Sequence, residues 1–164
     1  MAVKKVIAVI TSDNQVAVNT INKLATGDYR ILLISKDKNP FTKLAVNVKK
    51  NYPKAELIIQ DCAKDGCWEA DIIILAIDTP EVKEVAVMMK EVAIQKIIII
   101  VNVNEKNKEN IIAEMKILLP HSKIAGSLDS SNTSPTVFEN ADRQDLQRVL
   151  GLLNIEDIKY PMDY

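Results

Sequence analysis

Glycine is scarce in this sequence: four occur in 164 residues, and the first of them is Gly27. Histidine is scarcer still. His121 stands alone, follows Pro120 in a loop, and reads as a surface residue. With one histidine there is no Ser-His-Asp set with a choice of base and no His-Glu-x-x-His zinc site, and no Gly-x-x-x-x-Gly-Lys-Ser/Thr loop occurs, so hydrolase, zinc-protease and nucleotidase chemistries lack support. Two cysteines, Cys62 and Cys67, lack the Cys-x-x-Cys spacing of a redox or zinc pair and read as reduced thiols beside a short helix. Trp68 has no basic cluster around it, so it reads as core or rim rather than a platform for stacked bases.

An excess of one charge is also missing. Twenty-one basic and 22 acidic residues nearly cancel, so no global field points to nucleic acid or an anionic membrane. The longest apolar runs, such as residues 97–101, fall far short of the roughly 20 residues of a membrane helix. Met1 leads straight into a strand, so no signal peptide is expected. Without a disulfide framework either, the expected location is the cytoplasm.

What the sequence does have is alternation between short apolar runs and helical periodicity. Apolar strands are expected at residues 6–10, 31–35, 56–59, 71–77, 97–103 and 123–128. Helices are expected between them at residues 14–25, from Asn39-Pro40 to about Tyr52, at 63–69, from Pro80 with Thr79 as its cap, and at 108–119. Val82, Val85 and Met89 should face inward from the helix begun at Pro80. A polar loop at 129–134, a short strand near Val137, a helix at 141–153 and a last strand near Ile158 complete the reading. Runs apolar on every position suit parallel strands covered on both faces. The fold class is therefore α/β, a doubly wound and mostly parallel sheet with helices on both faces, formed as one domain of residues 1–164. On such Rossmann-like sheets ligands bind outside the carboxyl ends of the strands, where the strand order reverses. That crevice would be lined by Thr11 to Val16, Ser35 to Asp37, Ala76 to Thr79 and Asn102 to Asn104.

Four segments carry a resemblance to a known family. They are Val9-Ile10-Thr11-Ser12-Asp13-Asn14-Gln15-Val16, Ile34-Ser35-Lys36-Asp37, Glu69-Ala70-Asp71-Ile72-Ile73-Ile74-Leu75-Ala76, and Thr136-Val137-Phe138 with the final helix. Together they resemble the NADP oxidoreductases dependent on the deazaflavin coenzyme F-420, to which the soluble domain of the six-transmembrane metalloreductases is related. The resemblance implies hydride transfer between nicotinamide and a flavin-like partner. In such a reaction the protein mainly orients the two groups, and no catalytic acid or base need stand out. The cofactor-binding residues it implies are Thr11, Ser12, Asp13, Asn14, Gln15, Val16, Ser35, Lys36, Ala76, Ile77, Asp78 and Asn102. No metal ligand is implied. Chains of that family continue past the final strand into helical structure on the deazaflavin side, whereas this sequence closes at Tyr164.

The turn after the first strand departs from the dinucleotide fingerprint. Gly-x-Gly-x-x-Gly uses its glycines for a tight turn, for close approach to the pyrophosphate and for packing of helix on strand. Thr11, Asp13 and Val16 stand at those positions. A side chain in a left-handed conformation costs about 1–2 kcal/mol, so a changed turn is expected. Asp13 would also place a carboxylate where helix amides attract phosphate. At about 5 Å and an effective dielectric near 20, each such charge pair costs about 3 kcal/mol, near a hundredfold in affinity. Ser12 or Asp13 could instead simply cap the helix. Ser35-Lys36 points toward a cofactor: neutral then basic, it suits the 2′-phosphate of NADP, where NAD-binding domains place an acid.

Two readings follow. One is an NADP-binding oxidoreductase-like domain with weakened or lost dinucleotide binding. The other is a non-enzymatic Rossmann-like module that binds another ligand or a protein partner as a homodimer, with Leu146, Val149, Leu150 and Leu153 of the final helix as a candidate contact surface. A short-chain dehydrogenase fits the first strand and helix but lacks a Tyr-x-x-x-Lys pair.

Overall fold

A computed structural model describes residues 4–11, 14–35, 37–76, 79–100 and 108–126, together with the helical positions 144, 147–149, 151 and 152. Its elements alternate β1 (Lys5–Thr11), α1 (Asn14–Leu24), β2 (Tyr29–Ile34), α2 (Asn39–Asn51), β3 (Glu56–Ile59), α3 (Ala63–Glu69), β4 (Ile72–Ala76), α4 (Thr79–Met89), β5 (Ile97–Ile100), α5 (Lys108–Leu118) and β6 (Lys123–Gly126). The strands form one six-stranded sheet in the order β3-β2-β1-β4-β5-β6. All five pairings are parallel.

The wholly apolar strands explain why the sheet is covered twice. Successive side chains on a strand point to opposite faces. Ile7, Val9, Ile31, Leu33, Ile72, Ile74, Ile97 and Ile99 therefore join one core with Ala17, Ile21 and Leu24 of α1 and Phe41, Leu44 and Val48 of α2. Ala8, Ile10, Leu32, Ile34, Ile73, Leu75, Ile98 and Ile100 join the other with Cys67 of α3, Ala86 and Met89 of α4, and Met115 of α5. Burying a β-branched or leucine side chain contributes about 1.5–3 kcal/mol, so these two layers supply most of the driving force.

Local contacts set the element ends. Asp71 locks β1 to β4 before the ladder starts: the Val6 N–H donates to its carboxylate at 2.9 Å, and its own N–H donates to the Val6 carbonyl at 2.8 Å. Lys96, just before β5, donates its ammonium to the carbonyls of Cys67 and Ala70, each at 2.6 Å, and to that of Trp68. It thereby caps the negative end of α3 and ties it to the far half of the sheet. Gly66 lets α3 come down on β2, because a Cβ there would lie 2.7 Å from Ile34 Cδ1.

Several expectations are refined. β2 begins at Tyr29 and stops at Ile34, so Ser35 lies past the ladder, and Thr79 is the first residue of α4 rather than its cap. Trp68 belongs to the rim, being largely exposed, because the seven-residue α3 buries only Gly66 and Cys67. Val149 is fully buried in the α1–α2 core, so it offers no contact surface to a partner. Leu146, Leu150 and Leu153 lie outside the described residues or side chains, as do the expected strands near Val137 and Ile158. Both cysteines are free, Cys62 exposed and Cys67 buried. Among the described residues no helix is long and apolar enough to cross a membrane.

Candidate functional site

The sheet order reverses between β1 and β4: from β1 the chain builds outward to β2 and β3, then crosses back to β4, β5 and β6. Helices diverge to opposite faces at this point and leave a crevice beyond the carboxyl ends of the two strands. Thr11 and Ala76 sit there side by side as the last matched pair of the β1–β4 ladder. Both are buried and end the ladder where a fold of this type places its crevice. α1 starts at Asn14, directly after Ser12 and Asp13 in sequence. Its first turn contains no acidic residue, and its free amides carry the partial positive charge of a helix start.

Thr11, at the first glycine position, needs no left-handed conformation. Thr11 is an ordinary strand residue, and among the described residues only Gln95 combines a side chain with a positive φ, at 66°. β1 thus reaches the first glycine position as extended strand, and the turn at residues 12 and 13 lies outside the described residues. Val16, at the third glycine position, lies in α1. The close approach of helix to sheet falls on its neighbour Ala17, which is fully buried among Ile7, Val9 and Ile21. The sequence signal for this was the small residue one place further on.

The second flank of the crevice follows β2. The Ser35 hydroxyl donates to the Asp37 carbonyl at 3.0 Å, and the Asn39 N–H donates to the Asp37 carboxylate at 3.1 Å. Asp37 is therefore committed to the start of α2, with Pro40 in the first turn where a missing N–H costs nothing. The acid nearest the end of β2 thus has a bond to the start of the helix. Reading the sequence for a cofactor signature missed this role; Asp-x-Asn-Pro was the available signal. Lys38, beside it, pairs with Asp61.

The structure thus brings Thr11, Ala76, Ser35 and the start of α1 to one edge of the sheet. Ser12, Asp13, Lys36, Ile77, Asp78 and Asn102 lie outside the described residues, and Asn14, Gln15 and Val16 are described as helix backbone. Other reactive groups stand elsewhere. Burial pushes the Cys67 thiol up to about 12, against a smaller opposing pull from Lys96, which leaves it no thiolate for nucleophilic chemistry at neutral pH. His121 is exposed, and its backbone carbonyl accepts from the Gln95 N–H at 2.7 Å. Among the described residues no group of three His, Cys, Asp or Glu could hold a metal ion.

A six-stranded parallel sheet in this order, with its crevice at the β1–β4 switch, defines the Rossmann-type fold of the NAD(P)-dependent oxidoreductases. Solved structures of that class superpose on the chain. An F-420-dependent NADP reductase, so assigned, from an Arthrobacter species is 13% identical, with 92% of this chain and 81% of that one covered at a TM-score of 0.60. A pyrroline-5-carboxylate reductase from Coxiella burnetii is 14% identical, with 90% and 56% covered at 0.59. A Cryptosporidium parvum lactate dehydrogenase, complexed with lactic acid and nicotinamide adenine dinucleotide, is 12% identical, with 77% and 46% covered at 0.60. The chain spans about half the length of most of these structures. At these identities the likeness is one of fold. No protein-family profile matches the chain, and no curated protein matches it.

Proposed function

We propose that this chain is a cytoplasmic NADP-binding, oxidoreductase-like Rossmann domain whose hold on the dinucleotide is weakened. The observation that carries the reading is the reversal of strand order between β1 and β4, where Thr11 and Ala76 end the ladder just before the start of α1 in sequence. Preference for NADP rests on the β2 flank. One Asp37 oxygen is taken up at the start of α2, while Lys36, next in sequence to the end of β2, supplies a cation suited to a 2′-phosphate. Weakening rests on Asp13, which places a negative charge next to the helix start that would otherwise receive the pyrophosphate. The chemistry would be hydride transfer between nicotinamide and a flavin-like partner, as the resemblance to deazaflavin-dependent reductases suggests.

Titration with NADPH and with NADH, followed by cofactor fluorescence and melting temperature, tests this directly. NADPH should bind and NADH should bind less well. Cofactor at a hundred times its dissociation constant should stabilise the fold by about 2.7 kcal/mol. No response at millimolar NADPH would sink the reading and favour the non-enzymatic module.

A further inference from the structure

The carboxyl ends of β2 and β3 are tied by an ion pair that the proposed function leaves unused. β3 runs parallel to β2, and the pairing extends one residue past Ile59, because the Gln60 N–H donates to the Leu33 carbonyl at 2.8 Å. Asp61 therefore leaves the sheet beside the end of β2. Lys38 stands at the close of the short loop from β2 into α2. Its ammonium pairs with the Asp61 carboxylate, and both side chains reach solvent. The acid within that loop is engaged differently: Asp37 accepts the Asn39 N–H at 3.1 Å.

In this fold the adenosine ribose comes to the carboxyl end of β2, and a nearby cation accommodates a 2′-phosphate. Given the NADP reading proposed above, we infer that Asp61 is a stand-in for that phosphate. It holds Lys38 while the site is empty and releases it when NADP binds, which makes the pair a determinant of the choice between NADP and NAD.

The exchange favours the phosphate. A phosphate monoester carries more negative charge than a carboxylate and offers three strong acceptor oxygens. An exposed lysine–carboxylate pair is worth a factor of about five at most, so breaking it costs little. Asp61 is then returned to water rather than left buried without a partner. Lysine suits the task, being a point charge with rotatable donors on a flexible stem, and it can pass from one anion to the other without moving the backbone. NADH brings no anion to the ribose and leaves the pair intact. Asp61 thus lowers affinity for NADPH alone, by occupying its lysine and by repelling its phosphate. Asp13 differs in kind, because the pyrophosphate it opposes is common to both cofactors.

Calorimetric titration of the full chain tests this with NADPH, NADH and adenosine 2′,5′-bisphosphate, which carries the 2′-phosphate without the nicotinamide half. Asp61→Asn should tighten NADPH and the bisphosphate about fivefold and leave NADH unchanged. Lys38→Gln should weaken the same ligands about fivefold, again sparing NADH. In the Lys38→Gln background the gain from Asp61→Asn should shrink to about twofold, because only direct repulsion is left to relieve. The melting temperature of the free chain should barely move, since the pair is exposed. NADPH binding that ignores both substitutions would overturn the inference and leave the NADP reading standing. So would losses shared equally by NADH, which would make the pair a structural tie, or an undiminished gain in the Lys38→Gln background, which would make Asp61 merely a nearby charge. If NADPH fails to bind at millimolar concentration, the NADP reading falls and the bisphosphate decides alone: binding that is lost in Lys38→Gln supports the assignment of the pair, and no binding overturns it.

Discussion

Lys96 shows how much one side chain can join. Its ammonium bonds the last carbonyls of α3 while its backbone begins the approach to β5, and it lies 5.9 Å from the centre of the Trp68 ring. Truncation to methionine would keep the stem and leave those carbonyls without their charged donor. Hydrogen bonds to charged groups contribute about 1.5–3 kcal/mol, so Lys96→Met should lower unfolding stability in urea by about 2 kcal/mol. The neighbouring thiols should separate cleanly. At pH 8 a thiol reagent should titrate exposed Cys62 alone, and Cys67 only after unfolding. Because the folded state holds the Cys67 proton up to about 12 against 9.0 for the free thiol, the protonated core thiol favours folding fully below pH 9. That contribution is lost as pH climbs toward 12, by about 1.4 kcal/mol per unit. Lys96 works the other way: burial lowers its pKa from 10.5, so the folded state sheds that proton first and stability gains as pH rises toward 10.5. Denaturant titrations between pH 9 and 10 should show stability falling in the wild type and a flattened or reversed slope in Cys67→Ala, and an unchanged slope would show the thiol is not its source.

At the scale of elements, the start of α2 makes the sharpest case. Asp37 receives the Asn39 N–H in a turn that leads into α2, whose N-cap residue Lys38 makes no side-chain cap bond, and losing such a hydrogen bond costs about 1 kcal/mol. Asp37→Ala should lower stability by that amount, while Asp37→Asn, which keeps an acceptor, should lose less; equal losses would point to charge rather than the hydrogen bond. Elements like this mark the boundary of what could be read from sequence. β3 and α3 fall where periodicity and polar punctuation put them, and the doubly covered sheet was legible because β1, β4 and β5 are apolar on every interior position. That turn was not legible in the same way. Asp37 follows Ser35-Lys36, and a run of three polar residues after a strand can line a cofactor crevice or close the next helix. Only the direction of one carboxylate decides between them. Trp68 was likewise ambiguous: whether an aromatic in a seven-residue helix is buried depends on how closely that helix can sit, and here Gly66 and Cys67 take the contact instead.

For the whole molecule, the open matter is how a switch-point crevice works without glycine. The backbone answers part of it. Thr11 continues β1 without a positive φ, and Ala17 is buried where α1 lies against the sheet, so Thr11 carries no left-handed strain. The proposed weakening rests on the charge of Asp13. If repulsion between that carboxylate and a pyrophosphate is what weakens binding, then Asp13→Asn removes the charge and leaves the shape. One charge pair at about 5 Å in a medium of dielectric near 20 is worth about 3 kcal/mol, so the variant should bind NADPH between tenfold and a hundredfold more tightly. The gain should shrink in high salt, since screening already relieves part of the repulsion in the wild type. Lys36→Ala should act on the other end of the cofactor, reducing NADPH affinity while leaving NADH nearly unchanged. Combining the two variants should give additive effects, because a pyrophosphate and a 2′-phosphate are recognised by separate groups. An Asp13→Asn protein that binds no more tightly than the wild type would mean that the shape of the turn, not its charge, limits the site.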